Sequence, residues 1–110
     1  IATAFYDTGV PIQSIRDYLK GSVDEEAIQA ATVFIDEYTS GYGKDDKRVA
    51  ETIETVLKIY GIPLDATYTG KAFMGMTEYI EQNKIKDNNI LFIHTGGTPL
   101  FFDALNKMNR

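Results

Sequence analysis

Ile90-Leu91-Phe92-Ile93-His94-Thr95-Gly96-Gly97-Thr98-Pro99 is the stretch on which the fold class turns. Its first four residues are apolar without alternation, the pattern of a strand covered on both faces in a parallel sheet. The glycine-containing loop that follows leads to Pro99, and proline suits a first helical turn because its missing N–H would have no intrahelical partner there. Leu100, Phe101, Ala104 and Leu105 then give that last helix an apolar face. Working back along the chain, Val49, Ile53, Val56, Leu57 and Tyr60 recur at spacings of three and four and predict a helix with one buried stripe. Gly61-Ile62-Pro63 ends it, since glycine takes the left-handed closing conformation and proline cannot continue. A further helix opens near Thr69 and is expected to bury Ala72, Phe73, Met76 and Ile80.

The N-terminal third is less patterned. Residues 1–6 suit a strand, and Pro11, Ile12, Ile15 and Leu19 suit a short helix stopped at Gly21. Ser22-Val23-Asp24-Glu25 has the spacing of a capping box and predicts a second helix to about Thr32, followed by a brief strand at Val33-Phe34-Ile35. Helices alternating with buried strands define an α/β fold, with helices packed on a short, mostly parallel sheet.

Composition bounds the function. A chain of 110 residues is a single domain or a piece of one, and 44% apolar with 25% charged residues is the make-up of a soluble globular protein. A formal net charge of -5 opposes binding to nucleic acid, which needs a basic face to displace counterions. With no cysteine and one histidine, disulfides, thiolate metal sites and histidine-based zinc sites are excluded. No apolar run approaches the ~20 residues of a membrane span, and the start lacks a signal-peptide pattern, so a cytoplasmic protein is expected. The chain begins at Ile1 without methionine, which leaves a fragment, a processed product and a cloned domain all open.

Several residue groups could carry chemistry. A strand, then Thr95-Gly96-Gly97-Thr98, then a helix places free N–H groups beside a space opened by glycine, and this reads either as an anion site or as a tight turn. Tyr68, at the start of the fourth helix, could serve as a neutral hydroxyl donor or as an acid–base group, while Thr67 or Thr69 could cap that helix. Lys71 in its first turn reads as a solvated surface charge in preference to a Schiff-base lysine. In Ser40-Gly41-Tyr42-Gly43 the flanking glycines could aim Tyr42 into a cleft, or simply make a turn. His94 reads as a satisfied loop or core histidine. Asp36, Glu37, Asp45 and Asp46 read as a solvated face, and no metal is assigned.

In order and spacing, Gly41-Tyr42-Gly43, Leu64-Asp65-Ala66-Thr67-Tyr68-Thr69-Gly70-Lys71-Ala72 and Ile90-Leu91-Phe92-Ile93-His94-Thr95-Gly96-Gly97 resemble the closing third of the D-cysteine desulfhydrase and 1-aminocyclopropane-1-carboxylate deaminase family. The resemblance runs from about 36 to about 104. It implies part of the large domain of a fold-type-II, tryptophan-synthase-β-like enzyme that uses pyridoxal 5'-phosphate (PLP) in amino-acid metabolism. Tyr42 and Tyr68 would be the catalytic residues on the substrate side, Tyr68 near the leaving group. Thr95 would hydrogen-bond the pyridine nitrogen, with Gly96, Gly97 and Thr69 also on the cofactor side, so the glycine loop becomes a ring-nitrogen site instead of a phosphate site.

A threonine beside that nitrogen leaves the ring closer to neutral than a carboxylate would, which elimination tolerates. The deaminases tend to carry glutamate where this chain has Thr69, so Thr69 favours β-elimination giving pyruvate, ammonia and hydrogen sulfide. The family's Schiff-base lysine and main phosphate loop match nothing in these residues. The chain is therefore expected to be inactive alone, with a small amino acid as substrate, the remaining segments of the enzyme as partner, and a homodimer as one open assembly. Deaminase activity in the parent enzyme, a non-catalytic phosphate- or carboxylate-binding α/β module, and a structural piece associating through sheet edges are the alternatives.

Overall fold

The computed structural model describes residues 9–35 and 46–108, and these contain five helices. The expected strand at 1–6, Tyr42 and the acidic residues Asp36, Glu37 and Asp45 lie outside the described residues. The chain divides into two compact units, Ile1–Thr39 and Ser40–Arg110.

In the first unit α1 spans Gly9–Tyr18 and α2 spans Glu25–Ala30, and the two pack together, each contributing one buried isoleucine, Ile12 and Ile28. Lys20 and Gly21 both take the left-handed conformation, and the Gly21 N–H donates to the Arg16 carbonyl, which closes α1. The capping box does not form. The Ser22 hydroxyl donates to the Leu19 carbonyl at 2.7 Å, so it finishes α1 instead of starting α2, and Asp24 occupies the N-cap without a side-chain bond.

In the second unit α3 spans Lys47–Tyr60, α4 spans Thr69–Gln82 and α5 spans Thr98–Met108. Asp46 caps α3 by accepting from the Arg48 N–H at 2.9 Å, and Gly61 closes it at φ 67 with its N–H on the Leu57 carbonyl. Val49, Ile53 and Val56 are buried as their spacing requires, whereas Tyr60, in phase with them, is 65% exposed at the end of the helix. The buried face of α4 is not the expected one. Thr69, Gly70, Lys71, Met74 and Gly75 are buried, while Ala72, Phe73, Met76 and Ile80 are half-buried. The cause is backbone approach: a Cβ on Gly70 would stand 2.9 Å from Ile53 Cγ1 and 2.7 Å from the Asp65 carbonyl oxygen, so α4 meets α3 on its small residues.

No strand is present among the described residues, so the expected strands at 33–35 and 90–93, and with them the parallel sheet, are absent there. A strand exists only through hydrogen bonds to a neighbouring strand, and residues 90–93 have none beside them among the described residues. What holds this segment is side-chain packing: the Phe92 ring meets Phe73 of α4 edge to face at 5.2 Å. Architecture among the described residues is therefore helical, with α3 against α4 and the segments 61–68 and 83–97 laid around them.

Candidate functional site

Leu64-Asp65-Ala66-Thr67-Tyr68-Thr69 leads into α4, and Asp65 organises it. The Asp65 side chain is 1% exposed and its carboxylate accepts four hydrogen bonds. Oδ2 takes the Thr67 and Tyr68 N–H groups, both at 2.7 Å, and Oδ1 takes the Thr69 N–H at 3.0 Å and the Thr69 hydroxyl at 2.7 Å. The Asp65 N–H donates in return to Thr69 Oγ1 at 2.8 Å, and the Asp65 carbonyl accepts from the Gly70 N–H. Burial raises the carboxyl's pKa, but the bonds from Thr69, Tyr68 and Thr67 outweigh it and leave the pKa below the ordinary carboxylate value.

Neither Thr67 nor Thr69 is the N-cap of α4; that position is Tyr68, which makes no capping bond through its side chain. Asp65 does the work from three residues further back. Because its carboxylate occupies the amides at the start of α4, that helix end is already neutralised by the protein's own charge.

The Thr95-Gly96-Gly97 loop lies against this turn. Gly97, at φ 91, sits where a Cβ would be 2.5 Å from Asp65 Oδ1, so only glycine fits both the conformation and the space. His94 makes a second tie: the Gly96 N–H donates to Nδ1 at 3.2 Å, and Nε2 is 2.7 Å from the Pro63 carbonyl oxygen. An Nδ1 that accepts places the ring proton on Nε2, which then donates to Pro63. His94 is thus a satisfied loop histidine, and its ring stands edge-on to Phe92 at 6.5 Å.

Tyr68 is 44% exposed, Thr95 is exposed, and Gly96 and Gly97 are half-buried. Thr69 is buried with its hydroxyl engaged by Asp65 in both directions. Lys71 is 6% exposed, so it is not the solvated surface charge its position suggested; the small-residue face of α4 carries it inward. Asp65 and the His94 tie were the parts that residue reading missed. An acid four residues before the first helical threonine was the available signal for the first, and His94 had none, because its partner Pro63 is 31 residues away. Among the described residues no group of three or more His, Cys, Asp or Glu side chains is placed to hold a metal ion, and no helix is long and apolar enough to cross a membrane.

No family model matches the chain, and no solved structure does. A curated D-cysteine desulfhydrase from Klebsiella pneumoniae (strain 342) is 33% identical over 92 residues, which is 83% of this chain and 28% of that protein. Over the matched stretch the chain belongs to the D-cysteine desulfhydrase family. It spans little more than a quarter of the relative's length.

Proposed function

We propose that this chain forms the tyrosine and ring-nitrogen side of the active site in a cytoplasmic PLP-dependent carbon–sulfur lyase that eliminates hydrogen sulfide from D-cysteine or a close analogue. The observation that carries the reading is the junction at Asp65, where the Tyr68 segment and the Gly96-Gly97 loop meet on one carboxylate. The loop suits a flat ring. Nothing lies within 4 Å of the place a Cβ on Gly96 would take, and Thr95 beside it is exposed, which leaves room for a ligand against the loop. PLP, when bound, supplies an electron-withdrawing ring beside the substrate α-carbon.

This chain's residues would then act as follows. Thr95 would hold the pyridine nitrogen by its hydroxyl, a partner that favours protonation less than a carboxylate does, and this would suit an elimination in which the electrons depart with the leaving group. Tyr68 would hold or give a proton at the departing sulfur, and Tyr42 is proposed from the family resemblance alone as a second substrate-side residue. The products are pyruvate, ammonia and hydrogen sulfide, and a hydroxyl at Thr69 in place of a glutamate keeps the activity on this side of the family. Residues 90–93 complete an α/β sheet with strands from other segments of the enzyme. Ile90, Leu91 and Ile93 are exposed, which leaves large apolar side chains for such a sheet to cover. On this reading the lysine that carries the cofactor comes from another segment of the enzyme, since Lys71 does not correspond to the family's Schiff-base lysine.

Incubating the 110-residue chain with PLP, reducing with borohydride and mapping the labelled lysines by mass spectrometry tests this division of labour. The expected result is scattered, substoichiometric labelling and no hydrogen sulfide from D-cysteine. Stoichiometric labelling of one lysine, lost in Lys71→Ala, would show that the chain holds its own cofactor lysine.

A further inference from the structure

We propose that Asp65 and Thr69 are a positioning pair that locks Tyr68 to the Gly96-Gly97 loop, with Thr69 acting on the site through Asp65 and not by touching cofactor or substrate. The proposal rests on the roles given above to Tyr68 and Thr95. Thr69 is 2% exposed, and its hydroxyl both donates to Asp65 Oδ1 and accepts from the Asp65 N–H. Asp65 Oδ1 is also the atom against which Gly97 rests, 2.5 Å from the position of a Cβ there. Asp65 Oδ2 holds the Tyr68 N–H at 2.7 Å. One carboxylate therefore spans the two segments, and the Thr69 hydroxyl fixes which way that carboxylate faces.

Loss of the hydroxyl leaves Oδ1 with one donor where it had two, and leaves the buried Asp65 N–H without its acceptor. The carboxylate then has freedom to turn, and both Tyr68 and Gly97 follow it. A purely local helix cap would behave differently: its loss would disturb residues 65–72 and leave residues 95–97, far away in sequence, unmoved.

Amide NMR and hydrogen exchange on the 110-residue chain separate these cases. In Thr69→Val the amide resonances of Thr95, Gly96 and Gly97 should shift together with those of Thr67 and Tyr68, and the Tyr68 amide should exchange about tenfold faster, the worth of one hydrogen bond. Thr69→Ser, which keeps the hydroxyl, should restore both. Gly97→Ala gives the reciprocal test, since it pushes on Oδ1 from the other side and should move the amides of Thr67, Tyr68 and Thr69. Changes in Thr69→Val confined to 65–72, a Thr69→Ser that matches Val, or a Gly97→Ala silent at 67–69 would each overturn the proposal. No cofactor is present in these measurements, so failure of the lyase reading would show separately, as a complete enzyme that binds no PLP while the coupled shifts persist.

Discussion

Asp65 keeps a carboxylate charged at a position almost without solvent, and the four donors around it decide its pH behaviour. Its folded pKa lies below the ordinary value, so it stabilises the fold above the usual carboxylate range, and this stability is lost as pH falls through the lowered pKa. Denaturant unfolding followed from neutral to acid pH should show that loss, and Asp65→Asn should flatten it while lowering stability at neutral pH, because an amide N–H₂ would face two N–H donors. Gly97→Ala meets the same carboxylate from the other side and must also hold φ 91, a conformation costing about 1–3 kcal/mol for a side-chain-bearing residue. A fall of that size in unfolding free energy is expected. The residue types at the site were legible in the sequence through resemblance, but Asp65's role was not. Nothing in its identity says that it is buried, and a carboxylate near a helix start reads by default as a solvated cap.

At the scale of elements, α3 and α4 show what periodicity can and cannot tell. The α3 stripe was readable because Val49, Ile53 and Val56 are large and apolar, and its C-terminal end was readable from Gly61-Ile62-Pro63, whereas Asp46, which reads in the sequence as part of a solvated face, is the N-cap. The α4 stripe was misassigned because close helix packing selects small residues, and Gly70 and Gly75 carry no hydrophobic signal. Gly70→Ala should therefore be costly despite alanine's better helix propensity: the added methyl collides with Ile53 and the Asp65 carbonyl, and overpacking of this kind costs about 1–3 kcal/mol. A thermal melt of the variant checks it, and a rise in Tm would contradict the packing described here. The last turn of α4 is closed by Lys84 at φ 50, with the Ile85 N–H on the Ile80 carbonyl, a stop that the absence of glycine there concealed.

At the scale of the molecule, the α/β reading rested on residues 90–93, and those residues are where the described structure departs from it. A continuous apolar run announces a strand covered on both faces, but the run cannot supply the neighbouring strands, and Leu91 stands 83% exposed. The match reaches only 28% of the relative's length, and under the proposed function the neighbouring strands come from the rest of that enzyme. Leu91→Lys should reduce self-association of the 110-residue chain in sedimentation, since an exposed apolar strand-forming segment is a ready site for pairing between copies. The proposed lyase role of these residues is best tested inside a complete enzyme. Replacing the matched stretch of the Klebsiella desulfhydrase with the 92 aligned residues of this chain gives a full-length protein in which the proposed role of these residues can be read. This chimera is expected to bind PLP and to release hydrogen sulfide and pyruvate from D-cysteine, with kcat lowered about 100-fold or more by Tyr68→Phe. A folded chimera that binds PLP but eliminates nothing, or whose activity ignores Tyr68→Phe, would contradict that role.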